Sequence, residues 1–364
     1  MRNGICLLAT IGLLATGAAA CGNNDNNQGT GGTGKTPKVG VILPDSASSA
    51  RWETNDRPYL EQAFKNAGVQ YDIQNAQGDK TAFQTIADQM ITNGATALMI
   101  VNLDSGTGKA VIDKAKSQGV GVIDYDRLTL NGGANYYVSF DNEAVGKLQG
   151  EGLVKCLTDM GAKNPVVAEL NGSPTDNNAT LFKNGYDSVL KPKYDAKEYT
   201  KGPDQSVPEW NNTTAGTIFE QMMTQTGNNI QGVLAANDGL GNAVISVLKR
   251  NGLNGKVPVT GQDATVQGLQ NILVGDQCMT VYKAIKQEAD EAAKLAIALF
   301  KGETVSGLDK VKDTESGKDV PSKLLTPVAI TKANIKSVID DGFVTKAELC
   351  TAAFAAACTA AGIA

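Results

Sequence analysis

The chain has 364 residues, with 33 Lys plus Arg against 38 Asp plus Glu, a net charge of −5 and no histidine. Without histidine there is no Ser-His-Asp or Cys-His catalysis and no His-ligated metal, and no cofactor is expected. An acidic balance with no basic run speaks against nucleic acid as a partner.

Residues 1–20 read as an export signal: one early cation, Arg2, an apolar stretch from Ile5 to Ala15, then small residues Gly17-Ala18-Ala19-Ala20. The apolar part is too short for a membrane span. Cys21 follows directly and resembles the acylated cysteine of the bacterial lipobox, although Ala18 stands where leucine is usual. The expectation is a lipid anchor at Cys21, the alternative being ordinary secretion with cleavage after Ala20. Residues 21–37 are Asn, Gly and Thr with almost nothing apolar, which predicts a flexible tether.

From Lys38 strand and helix patterns alternate. Strands are predicted at Lys38 to Leu43, Val69 to Ala76, Ala97 to Val101, Val120 to Tyr125 and Tyr136 to Phe140, with helices at 52–67, 81–93 and 106–118 ending near Gly68, Gly94 and Gly119. Such alternation argues a parallel sheet with helices on both faces. The pattern restarts with a helix over 142–160, then strands at Val166 to Asn171, Lys197 to Thr200, Gly232 to Ala236, Val257 to Gly261 and Cys278 to Tyr282. The predicted fold class is therefore α/β, two doubly wound parallel-sheet lobes joined by a hinge, with lobes over 38–141 and 142–283. The helix from Ala284 to Lys301 and the segments after it are too little for a third domain and pack back onto the first two. Two lobes with the chain crossing between them make a cleft that can close around a ligand.

Four cysteines remain in the folded part: Cys156, Cys278, Cys350 and Cys358. An even number in an exported chain points to two disulfides. Cys350 and Cys358, close together in an Ala-rich tail, pair with each other and leave Cys156 to Cys278; buried free thiols are the alternative.

Polar clusters end several of the strands, where an open α/β sheet places its ligands. Asp126 and Arg127 follow Tyr125, Asp176 and Asn178 follow Asn171, Asn237 follows Ala236, Asp263 follows Gly261, and Lys283 follows Tyr282. With Arg51 the set holds three cations and three anions, and the amides of Asn178 and Asn237 both donate and accept. A balanced set of fixed donors and acceptors suits a neutral polyhydroxylated ligand. The two tryptophans, Trp52 and Trp210, offer flat faces for a sugar ring. Singly, each residue also has an ordinary structural role, such as a surface ion pair at Asp126 and Arg127 or a helix N-cap at Asp176 to Asn178. Asp141 and Asp238 are read as structural.

Val39-Gly40-Val41, Arg51-Trp52, Tyr125-Asp126-Arg127, Ser139-Phe140-Asp141-Asn142-Glu143, Asn171-Gly172-Ser173-Pro174-Thr175-Asp176-Asn177-Asn178-Ala179, Ala236-Asn237-Asp238, Gly261-Gln262-Asp263, Met279-Thr280-Val281-Tyr282-Lys283 and Pro321-Ser322-Lys323-Leu324-Leu325-Thr326-Pro327 occur in one order. From about Lys38 to Leu349 the chain resembles the D-xylose-binding proteins, substrate-binding components of bacterial ABC sugar importers of the ribose- and galactose-binding type. The resemblance implies a type I periplasmic binding protein fold with several chain crossovers: a return to the first lobe over 284–320 and a crossover back over 321–364. It puts sugar contacts on Arg51, Asp126, Arg127, Asp176, Asn178, Asn237, Asp263 and Lys283, a stacking ring on Trp210, and further contacts at Trp52 and Asp45. The loop Pro44-Asp45-Ser46-Ala47-Ser48-Ser49 departs from the more charged loop of the family, and the cysteine-bearing tail after Leu349 is a second departure.

The implied function is a non-enzymatic, lipid-anchored, monomeric receptor that captures D-xylose and presents it to an ABC permease. The alternatives are a receptor for glucose or for several monosaccharides, a glycosidase using two of Asp126, Asp176 and Asp263, or the effector domain of a transcription regulator. The export signal and the lack of a DNA-reading segment oppose the last.

Overall fold

The computed structural model describes residues 37–363. The export signal, Cys21 and all but the last residue of the tether lie outside the described residues. Strand and helix alternate through β1 (Lys38–Leu43), α1 (Arg57–Ala67), β2 (Gln70–Asn75), α2 (Lys80–Thr92), β3 (Ala97–Ile100), α3 (Ser105–Ser117), β4 (Gly121–Tyr125) and β5 (Tyr136–Phe140). A second run follows: α4 (Asn142–Asp159), β6 (Val166–Asn171), α5 (Asn177–Asp195), β7 (Thr200–Ser206), α6 (Asn212–Gln225), β8 (Gly232–Ala235), α7 (Asp238–Arg250), α8 (Val266–Val274) and β9 (Thr280–Tyr282). The chain closes with α9 (Ile285–Lys301), β10 (Asp309–Lys312), β11 (Asp319–Leu325), β12 (Val328–Ile330), α10 (Lys336–Asp340), α11 (Lys346–Leu349) and α12 (Ala355–Ala360). The class is the expected one, α/β with parallel sheets.

The first sheet has seven strands in the order β10-β11-β5-β4-β3-β1-β2, parallel except where β10 meets β11. Alternate residues of β1 serve opposite faces, as a period of two requires. Val39, Val41 and Leu43 pack with Leu60 and Phe64 of α1 and Ala292 and Ala296 of α9. Ile42 packs instead with Phe83 and Met90 of α2 and Ile112 of α3. A sheet buried on both faces is held rigid, so its strand ends are fixed points for a site.

The second sheet is β7-β6-β8, all parallel, extended by a single parallel bridge from Val233 to Val259. A strand was expected over Val257 to Gly261, but regular pairing stops there for a local reason. Pro258 has no N–H, and the Thr260 hydroxyl takes over the ladder, accepting from Ala235 N at 2.9 Å and donating to Ala235 O at 3.0 Å. The edge strand expected at Lys197 to Thr200 runs instead from Thr200 to Ser206. Lys197 has a positive φ of 57° and ends a turn, and the strand itself, TKGPDQS, lacks any apolar alternation. β9 pairs antiparallel with β12 rather than joining the parallel sheet.

The crossover expected at residue 321 comes later. Ser322 to Leu325 pair in parallel with Tyr137 to Phe140, so β11 belongs to the first sheet throughout, and the chain leaves it only after Leu325. Two disulfides join Cys156 to Cys278 and Cys350 to Cys358, with Cα atoms 6.5 and 5.9 Å apart. The tail packs Phe343, Val344, Leu349, Cys358 and Ile363 into the core around the second sheet.

Candidate functional site: a charge-paired cleft between the sheets

The strand ends of the two sheets face one polar cleft. Its lining includes ten of the eleven residues put forward from the sequence: Arg51, Trp52, Asp126, Arg127, Asp176, Asn178, Trp210, Asn237, Asp263 and Lys283. Asp45 is not among them. Its carboxylate accepts from Ala47 N, Ser48 N and Ser48 Oγ, shaping its own loop. That loop reaches the cleft through Ser48 and Ser49 instead.

Helix starts account for part of this placement. Asp176 caps α5 and Asn237 caps α7, each accepting a first-turn amide, from Asn178 N at 2.9 Å and from Leu240 N at 2.9 Å. The capping role and the cleft role are therefore not alternatives. The second oxygen of Asp176 meets Arg127 Nε at 3.0 Å and accepts from Trp210 Nε1 at 3.1 Å. Asn237 keeps an amide N–H with only a weak 3.4 Å contact to Ser48 O.

Three site residues sit on backbone that L-amino acids avoid. Asp126 has φ 62° and centres a tight turn in which Arg127 N donates to Tyr125 O at 2.7 Å. Trp210 has φ 55° after Glu209, also 55°, and Asp263 has φ 97° before Ala264 at 51°. Strain of this kind, of order 1 to 3 kcal/mol per residue, persists only where surrounding structure holds it. Here Asp238 does part of the holding. Fully buried, it accepts from Thr265 N, Thr265 Oγ1, Gln277 Nε2 and Thr280 Oγ1 at 2.8 to 3.0 Å, while its own N donates to Gln262 O. The structural reading of Asp238 agrees with this, as does that of Asp141, which caps α4.

The ion pairs run both within and across the cleft. Lys283 Nζ lies 3.1 Å from Asp263 Oδ1, close but without hydrogen-bond geometry, and 3.9 Å from Asp126 Oδ2. Asn178 Nδ2 donates to Asp126 O at 3.0 Å, and Ser49 Oγ to Asp263 Oδ2 at 3.0 Å. Burial pushes the Asp126 carboxyl up, but Arg51, Lys283 and Arg127 together hold it below the usual carboxylate range.

The two indoles differ in their surroundings. Trp210 has a Phe182 ring edge-on at 6.3 Å, and its outer ring lies where a Cβ on Gly172 would be, 2.1 Å away. Glycine at 172 is what lets the ring sit over β6. Trp52 donates Nε1 to Ser48 Oγ at 3.1 Å and has the Arg51 guanidinium 4.4 Å from its ring centre. Its ring is thus engaged by a cation, unlike that of Trp210.

Two buried acids were missed from the sequence. Asp56 accepts from Arg51 Nε at 2.8 Å and Nη2 at 2.7 Å, and Glu288 accepts from Nη2 at 3.0 Å. The three cations therefore face five carboxyl groups. One signal for Glu288 was present: it stands three residues after Ile285 and four before Ala292, on the apolar stripe of α9.

Two α/β sheets whose strand ends meet across a polar cleft are the architecture of a periplasmic binding protein. The amino-acid sequence matches the periplasmic binding protein domain over residues 39–304. It is 36% identical over 318 residues to the D-xylose-binding periplasmic protein of Escherichia coli, covering 86% of this chain and 93% of that protein. It is 35% identical to a multiple sugar-binding periplasmic receptor of Rhizobium radiobacter, over 85% of this chain and 91% of the receptor. Among solved structures, an ABC transporter solute-binding protein from Clostridium phytofermentans with bound β-D-glucose superposes with a TM-score of 0.78 at 31% identity, covering 86% of this chain and 99% of that one. The chain belongs to the periplasmic binding protein family, and within it resembles the sugar receptors of ABC transporters.

Proposed function

We propose that this protein is the solute-binding component of an ABC sugar importer, that its ligand is D-xylose, and that the sugar is held between the two sheets by the ten expected residues that line the cleft. The observation that carries the reading is the cleft itself: paired ions and amides from both sheets converge beside the ring of Trp210. Each paired group keeps spare donor or acceptor capacity for a hydroxyl, and a neutral sugar adds no net charge to a nearly closed set of ion pairs. The 36% identity to a D-xylose-binding protein supports the pentose.

A glucose or multi-sugar receptor is the second reading, favoured by the glucose bound in one structural relative and by the name of the Rhizobium radiobacter receptor. A glycosidase is disfavoured by the charges. Asp126, Asp176 and Asp263 each touch a cation, and Glu288, whose carboxyl is pushed up by burial, lies behind Arg51 and does not line the cleft. We assign the protein to the outer face of the cytoplasmic membrane or the periplasm, anchored through acylated Cys21 and acting as a monomer.

The test is a tryptophan-fluorescence titration with D-xylose, D-glucose, D-ribose, L-arabinose and D-galactose. A saturable response strongest for D-xylose and lost in Asp263→Ala supports receptor, ligand and site; preference for another sugar moves the specificity; no response to any sugar by folded protein overturns the reading.

A further inference from the structure

Arg51 is shared among three carboxylates, and a guanidinium has only five N–H donors. Nε and one Nη2 hydrogen go to Asp56, the second Nη2 hydrogen to Glu288 Oε2, and one Nη1 hydrogen to Asp126 Oδ2 at 2.8 Å. One Nη1 hydrogen remains. Arg51 can therefore give a ligand in the cleft a single bond, and its direction depends on how the other four are held.

Glu288 is the unusual member of the set. It is wholly buried in the first turn of α9, and its Oε1 has no hydrogen-bond partner among the described residues. The titratable groups that act on it come from several elements: Arg51 and Asp56 from the turn before α1, Tyr125 and Asp126 from the end of β4, Tyr137 from β5, and Lys283 from the segment entering α9. Around them α1 and β3 bring the apolar Leu60, Phe64 and Met99. An ionised carboxylate here would put a charge on an oxygen without a donor and repel Asp56 and Asp126; a neutral acid removes the charge and the repulsion and leaves only its O–H without an acceptor. Burial, then the nearby Asp126, pushes the Glu288 carboxyl well above its ordinary range, in the same direction.

We propose that Glu288 is a positioning residue of the cleft: as a neutral carboxylic acid it accepts from Arg51, fixes the guanidinium against Asp56 and Asp126, and so aims the one free N–H at the ligand. Ionisation of Glu288 pulls Arg51 toward α9 and weakens both the bond to the ligand and the contact with Trp52, whose ring centre is 4.4 Å from the guanidinium carbon.

The proposal deepens the sugar-receptor reading and rests on it only for the first of two measurements. In the first, D-xylose affinity is followed against pH in wild type, Glu288→Gln and Glu288→Ala. Wild type should lose affinity as pH rises through the Glu288 titration. Glu288→Gln should keep the low-pH affinity at every pH, and Glu288→Ala should bind about ten- to a hundredfold more weakly throughout. In the second, made without sugar, tryptophan emission is titrated with pH. Wild type should show a transition that is absent in Glu288→Gln and in Trp52→Phe. Parallel pH profiles for wild type and Glu288→Gln in that ligand-free measurement overturn the proposal, as does a Glu288→Gln protein that binds as poorly as Glu288→Ala. If no sugar binds, the receptor reading falls and the emission titration alone decides the role of Glu288. If Glu288→Ala does not fold, the comparison of wild type with Glu288→Gln decides.

Discussion

Arg127 Nε lies 3.0 Å from Asp176 Oδ2, so a cation at the end of β4 in the first sheet is tied to the N-cap of α5 in the second. Both side chains are buried, and Asp176 at the same time orients Trp210 through its indole N–H. Arg127 is held in turn by the carbonyl of Asn102, which accepts from Nη1 at 3.2 Å. One contact thus ties the two sides of the cleft together and fixes the placement of the aromatic ring.

Arg127→Ala should weaken D-xylose binding by about 2 to 4 kcal/mol, because it leaves Asp176 buried without its cation. Asp263→Ala should cost a similar amount by orphaning Lys283. Isothermal titration of both variants checks this, and unchanged affinity in both would remove the site.

Gly172→Ala should displace the Trp210 ring, since the new methyl would lie 2.1 Å from a ring carbon. The neighbours of the ring are Phe182 and Asp176, so relief means moving a buried aromatic, an overpacking cost of about 1 to 3 kcal/mol. Thermal melting and the emission of Trp210 report it together, and a variant with wild-type stability and sugar affinity would show that the ring has room to move.

The two disulfides should differ in weight. In the chain-entropy picture the Cys156–Cys278 bond, with 122 residues of separation, contributes about 5 kcal/mol, and the Cys350–Cys358 bond, with 8, about 2.5 kcal/mol. Cys156→Ser with Cys278→Ser should therefore lower the denaturant midpoint more than the tail pair of substitutions.

Stability should depend on pH with opposite signs at two acids. Burial pushes Asp124 up to about 7 despite the bonds it accepts from Thr129. Its contribution is fully present below the unfolded value near 4 and is lost as pH rises through 7. Asp204 is pushed up by burial but held down to about 2 by Lys201, Asn171 and Lys183, so its contribution is present above pH 4 and lost as pH falls toward 2. Asp124→Asn should shrink the neutral limb of a melting profile, which it shares with Asp238, also pushed up to about 7 by burial, and Asp204→Asn should shrink the acid limb.

Much of this was legible because it is local. Alternating strand and helix patterns, Asp and Asn at helix starts, and the polar clusters that end the apolar strands at Tyr125, Asn171 and Ala236 are all short-range features, and they led to the sheets and to the residues lining the cleft. What escaped has equally plain reasons. β7 is an exposed edge strand with no apolar face, so no pattern marks it. Asp56 is five residues from Arg51, a spacing that ordinary helical reading sets apart. A π-helical turn over Trp52–Asp56, closed by Arg57 N on Trp52 O, brings the two together. Glu288 is 237 residues from Arg51 and meets it only because α9 packs against the first sheet.

The sequence by itself determined the class of the fold, most of the strand ends that border the cleft, and the cations, acids and amides available there, because periodicity and capping are written within a few residues. Only the tertiary structure decided how those charges are shared. Which carboxylate receives which N–H of Arg51, and how many donors remain for a ligand, follows from the packing of α9 and of the turn before α1 around one guanidinium. In a buried site the partners of a charge, rather than its identity, set what it can still bind.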